Sequence, residues 1–160
     1  MLHIKIICIG KLKEPYLREA CAEYQKRLSA FCRLEIDELP AARMPDAPSA
    51  AQIDAALAQE GERILARIPS GAYVYAMCIE GAQRPSGQFS AELQKLAVGG
   101  VSSVCFLIGG SWGLSEAAKA RAQKKLSMSQ MTFPHQLARV MLLEQLYRAF
   151  EIGSGGKYHK

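Results

Sequence analysis

The chain has 160 residues, of which 49% are hydrophobic and 22% charged, with a net charge of +5 at pH 7. That balance excludes a disordered chain and suits one domain with its own core. No apolar run approaches the ~20 residues of a membrane span. Lys5 interrupts the apolar start and no small-residue cleavage site follows, so neither an anchor nor a signal peptide is expected and the expected compartment is the cytoplasm.

Strand and helix patterns alternate. Leu2 to Ile9 is isoleucine-rich, stops at Gly10 and reads as a buried strand. Pro15 opens a helix to about Ala30, with Leu17, Cys21, Tyr24 and Leu28 on one face. Arg33 to Leu39 is a second strand, and Pro40 to Pro48 a proline-rich loop. Ser49 can cap a helix from Ala50 to about Arg67, with Ile53, Leu57, Ile64 and Ile68 inward. Ala72 to Ile79 is a third strand, Glu80 to Gln88 a loop, and Ser90 to about Val98 a short helix. Ser103 to Ile108 is a fourth strand, and Ser115 to about Ala122 a helix. Lys125 to Phe133 is a short strand and loop, and Pro134 opens a last helix to about Phe150. This order predicts a single α/β domain over residues 1–160, with a mostly parallel sheet and helices on both faces.

Sites of such sheets lie past the carboxyl ends of the strands. Three loops qualify: after Ile79, after Ile108, and Ser127 to Pro134. The second is the most informative. A buried strand empties into Gly109-Gly110, with Gly113 just beyond, so a ligand can meet bare backbone. The glycine spacing is neither a P-loop nor GxGxxG, so a ligand site and a plain tight turn both remain open. The third loop sets apolar side chains beside hydroxyls and free amides, as an adenine ring needs, though a strand running into a helix start reads the same way.

The cysteines, Cys8, Cys21, Cys32, Cys78 and Cys105, show no CxxC spacing and read as reduced thiols. His3, His135 and His159 are scattered, so no metal is expected. The last helix carries more apolar surface than one sheet face needs, which suits core alone or core plus a dimer seam. On it, Glu144 and Arg148 form an i,i+4 pair, or Arg148 meets a phosphate. The terminal Tyr158-His159-Lys160 is a frayed end or an RNA contact, with stacking, proton transfer and phosphate binding in three residues.

Jointly, Leu107-Ile108-Gly109-Gly110 with Gly113-Leu114-Ser115, Leu126-Ser127-Met128 with Thr132-Phe133-Pro134-His135, the run Glu144 to Ala149, and the Tyr158-His159-Lys160 end resemble the RlmH family. These are small SPOUT-class methyltransferases of the large-subunit ribosomal RNA, and the resemblance runs from the Ile6-Cys8-Gly10-Lys11 opening to the last residue. It implies a SPOUT-type α/β fold with a C-terminal trefoil knot, and a homodimer. The implied reaction is methyl transfer from S-adenosylmethionine to N3 of a pseudouridine in the decoding-centre stem-loop, within assembled ribosomes. It assigns the cofactor to Met77, Gly109 and Met128, Ser129, Gln130, Met131, Thr132 and Phe133. Catalysis falls to His159, assisted by Tyr158 and Arg148, and RNA phosphates to Arg139, Arg148 and Lys160. The family commonly has leucine in place of Met77, a Pro-Gly-Lys where this chain has Glu80-Gly81-Ala82, and a Pro-Glu pair in place of Ser111-Trp112. Two other readings compete: a SPOUT enzyme of transfer RNA, and a nucleotide- or RNA-binding module without catalysis.

Overall fold

A computed structural model describes residues 1–160. The first half is β1 (His3–Ile9), α1 (Pro15–Leu28), β2 (Arg33–Leu39) and α2 (Ala50–Arg67). The second is β3 (Tyr73–Ala82), α3 (Ser86–Val98), β4 (Ser103–Ile108), α4 (Glu116–Arg121), β5 (Lys124–Leu126) and α5 (His135–Gly153). All strand pairs are parallel, in the order β2-β1-β4-β3-β5. The expected α/β sheet with helices on both faces is what forms.

Alternation along the central strands divides the core. Ile4, Ile6 and Cys8 of β1 and Val104, Phe106 and Ile108 of β4 face one cluster, with Leu142, Leu143 and Leu146 of α5. Ile7, Ile9, Cys105 and Leu107 face the other, with Ile64 of α2 and Ala118 of α4. Strands buried on both faces read as continuous apolar runs, which is why β1 and β4 stand out in the sequence. The first layer centres on Tyr75 stacked on Phe106, ring centroids 5.0 Å apart. Each such large side chain, withdrawn from water, contributes about 1.5–3 kcal/mol.

Several boundaries differ from the sequence reading. β3 continues past Ile79 because Ala82 returns to pair with β5. α3 starts at Ser86, not Ser90: Pro85 supplies the fixed N-cap φ and its carbonyl accepts from the Phe89 amide at 3.0 Å. In α2 the buried residues are Ala56, Gly61 and Ile64, while Ile53 and Leu57 are only half-buried. Small residues face inward there because α2 passes close to the start of α4. A Cβ on Gly61 would overlap the Ser115 hydroxyl that caps that helix.

The start of α2 is a full capping box. Ser49 Oγ accepts from the Gln52 amide at 3.2 Å, and Gln52 Oε1 accepts from the Ser49 amide at 2.8 Å. Ser49→Ala should cost about 1 kcal/mol, read as a lower urea midpoint at unchanged slope.

Candidate functional site: a cleft at the strand ends

The strand order explains the site. After β3 the chain steps back to place β4 between β1 and β3, then leaps outward to β5. The turns after β3, β4 and β5 therefore converge at one edge of the sheet, a reversal point of the kind that binds ligands. They enclose a cleft of about 890 Å³.

Each wall has a local cause. In β3, Met77 and Ala82 both pair with Leu126, so residues 78 to 81 bow out of the ladder. The crossing is tight: a Cβ on Gly81 would lie 2.7–2.8 Å from the backbone of Lys125 and Leu126. The bulge puts Cys78, Ile79 and Glu80 on the cleft. After β4, Gly110 and Gly113 bridge antiparallel, and the Gly113 amide donates to Gly110 O at 3.1 Å. Gly109 lies against the Gly113 carbonyl with no room for a Cβ. Trp112, 52% exposed, stands at the tip of this turn.

The third wall is the segment between β5 and α5. It is held by its own polar groups: Ser127 Oγ donates to Ser129 O at 2.9 Å, and the Met131 amide donates to Ser129 Oγ at 3.0 Å. The Ser127 amide ties it to Ala82 O at 3.0 Å. Met128, Ser129, Met131, Thr132 and Phe133 all line the cleft, as do Met77 and Gly109. Gln130, expected among them, is exposed outside the lining.

Sequence reasoning missed Glu80, Lys119, His135 and Gln136, which also line the cleft. Glu80 and Lys119 form an ion pair at 2.6 Å; the hydrogen bond holds the carboxyl below its ordinary range and raises the ammonium. Burial, with Arg139 nearby, lowers the His135 pKa and favours neutral imidazole. The walls thus carry little net charge and much apolar surface. Glu80 lies in the first candidate loop and His135 directly follows the third, so the strand-end rule points to their neighbourhood; Lys119 on α4 and Gln136 on α5 are brought in only by the tertiary structure.

The other expected residues lie elsewhere. Arg148 pairs with Glu144 at 2.6 Å on α5. Tyr158 seats its ring on Tyr147 (centroids 4.8 Å apart) and under Arg148 (4.8 Å), and donates to Glu144 Oε1 at 3.2 Å. Arg148 Nη1 lies 3.0 Å from His159 Nδ1; a guanidinium only donates, so Nδ1 is the acceptor in this contact. None of Arg148, Tyr158, His159 or Lys160 lines the cleft of its own chain. Arg139 needs correcting. It is 2% exposed, ion-paired with Glu38, and donates to Gly10 O at 3.0 Å. A buried, internally paired guanidinium has no face for an RNA phosphate; Arg139 instead ties α5 to the ends of β1 and β2.

No group of three or more histidine, cysteine, aspartate or glutamate side chains is placed to hold a metal ion, and no helix is long and apolar enough to cross a membrane.

A family model described as "Predicted SPOUT methyltransferase" matches residues 2–159. The chain belongs to the SPOUT methyltransferase family. Within it, "Ribosomal RNA large subunit methyltransferase H" of Leuconostoc mesenteroides is 52% identical over 99% of this chain and 100% of that protein. Proteins of the same name from Lactobacillus delbrueckii and Ligilactobacillus salivarius are each 48% identical over the same shares. The structure of a probable methylase family protein from Haemophilus influenzae has a TM-score of 0.54 at 12% identity, covering 98% of this chain and 70% of that one. At that identity the likeness speaks for the SPOUT fold alone.

Proposed function

We propose that this SPOUT methyltransferase methylates large-subunit ribosomal RNA at N3 of a pseudouridine in the decoding-centre stem-loop, using S-adenosylmethionine, on assembled ribosomes and as a homodimer. Full-length similarity to relatives named for large-subunit ribosomal RNA methylation carries this reading. The cleft supports the cofactor. Met77, Ile108, Leu114, Met128 and Phe133 offer apolar faces for an adenine ring, and the glycine turn offers backbone polar groups with no side chain in the way. Half-buried Val140 and Met141 and the 38%-exposed Leu137 on α5 suit the dimer seam. A C-terminal trefoil knot belongs to the same reading.

Bound S-adenosylmethionine would supply an electrophilic methyl on sulfonium. The chain must then align the acceptor nitrogen and take its proton. His159 is the proposed proton acceptor, once Nδ1 leaves Arg148. Burial and the Glu144 charge push the Tyr158 phenol up to about 12, so at neutral pH it is un-ionised and serves to stack on or position the base. Arg148 and Lys160 would meet phosphates. Because the tail lies on α5 outside its own cleft, it would act at the cofactor of the second subunit.

The test is transfer of labelled methyl from S-adenosylmethionine to ribosomes lacking the modification, with free ribosomal RNA and transfer RNA alongside. Label confined to large-subunit RNA of whole ribosomes, mapped to a pseudouridine, is expected. Label in transfer RNA moves the substrate; cofactor binding with no label in any RNA leaves a binding module.

A further inference from the structure

The cleft walls are nearly neutral, yet a polyanion must be held beside them. Within one chain, Arg139 is buried on Glu38, and Arg148 lies outside the cleft, where only a second subunit's site could use it. The cations that remain free at the cleft edge are elsewhere.

The loop after β1 supplies them. It begins at Gly10, which is outside the lining but packs against it: a Cβ on Gly10 would lie 3.6 Å from His135 Nε2, and His135 lines the cavity. The next residues are Lys11, Leu12 and Lys13. Leu12 packs on the core while Lys11 and Lys13 are exposed. Arg18 holds the loop in shape, donating from Nη1 to Leu12 O at 3.2 Å and to Lys13 O at 2.8 Å. None of the three cations takes part in an ion pair. Glu14, exposed at the N-cap of α1, is the one acid in the loop. A braced loop with two outward, unpaired ammonium groups beside a ligand cleft is suited to phosphate contacts, which position a nucleic acid without reading its sequence.

We infer that Lys11 and Lys13 form a phosphate-binding lip that seats the RNA backbone at the mouth of the methyl-donor cleft. This rests on the ribosomal RNA reading above and adds to it the surface that docks the substrate. The experiment compares Lys11→Ala/Lys13→Ala with a charge-matched control, Lys26→Ala/Lys95→Ala. Those two residues lie in the last turns of α1 and α3, which lead to the opposite edge of the sheet. Binding of the full chain to ribosomes is measured across a salt series, with methyl-transfer kinetics and cofactor affinity beside it.

For the lip variant, ribosome affinity should fall roughly tenfold, and the log–log salt slope by about 0.7–0.9 per lysine. KM for ribosomes should rise at unchanged kcat, with cofactor affinity unchanged. Lys11→Arg/Lys13→Arg should restore binding, since the charge is what matters. Unchanged affinity and salt slope in the lip variant overturn the inference, and so does an equal loss in the control, which would mark net charge alone. Because binding is read directly, these outcomes stand apart from the functional reading, which fails separately if the wild-type chain binds ribosomes but transfers no methyl to their RNA.

Discussion

Deleting Tyr158, His159 and Lys160 should lower the methyl-transfer rate by roughly 10²–10⁴-fold, the range a positioned acid–base group supplies, while cofactor affinity stays unchanged. The two halves of that expectation have separate causes. Affinity is spared because no tail residue touches the cleft of its own chain. The rate falls because the proposed proton acceptor and the stacking ring leave together. Folding should survive: the tail rests on the surface of α5, through Tyr147, Glu144 and Arg148, and no core residue lies beyond Ala149. A mixed dimer locates the action. Pairing the tail-deleted chain with one whose cleft is blocked leaves one intact cleft and one intact tail on different subunits. Activity in that mixture places the tail across the dimer; silence from a mixed dimer that forms and binds cofactor places it in its own chain. Unchanged turnover after deletion removes the tail from the mechanism altogether.

Gly109→Ala should weaken cofactor binding roughly 10–100-fold, from an overpacking strain of about 1–3 kcal/mol falling on the ligand turn. The added methyl would run into the carbonyl of Gly113 and approach Leu114 N at 2.9 Å. These are backbone atoms, so the turn itself must open. Neighbouring glycines set a scale. At Gly110 a Cβ would meet chiefly the Ile9 side chain, at 3.1 Å, and that side chain can shift. At Gly113 there is open space but φ is +85°, so alanine pays only the left-handed strain of about 1–2 kcal/mol. Isothermal titration with S-adenosylmethionine should rank Gly109→Ala as the most damaging of the three. A ranking with Gly110→Ala or Gly113→Ala worst would mean the Gly109–Gly113 contact is not what shapes the site.

Much of the fold is legible along the chain because it depends on local rules. The bounds of β2, α2 and β4 follow from apolar patterning and the Ser49 cap. The three candidate loops converge as expected because parallel strands place all their carboxyl ends at one edge. Where the reading slips, a long-range contact has intervened. Small residues face inward in α2 because Ser115, far along the chain, approaches Gly61. β3 is longer than its apolar run because Leu126 pairs with it on both sides of the bulge. Arg139 looks like a surface cation in sequence; Glu38 and Gly10 O, contributed by the first two strands, make it an internal tie.

By itself the sequence determined the alternation of elements, the two-sided burial of β1 and β4, and the glycine turn at Gly109, since each rests on backbone preference or hydrophobic period within a few residues. Tertiary structure alone decided the strand order, the ion pair of Glu80 with Lys119, the buried seat of Arg139 and the position of the Tyr158–His159 tail outside its own cleft. Those depend on which distant segments meet, and the energy that decides it comes from packing and charge pairing across the sheet, to which no local pattern responds.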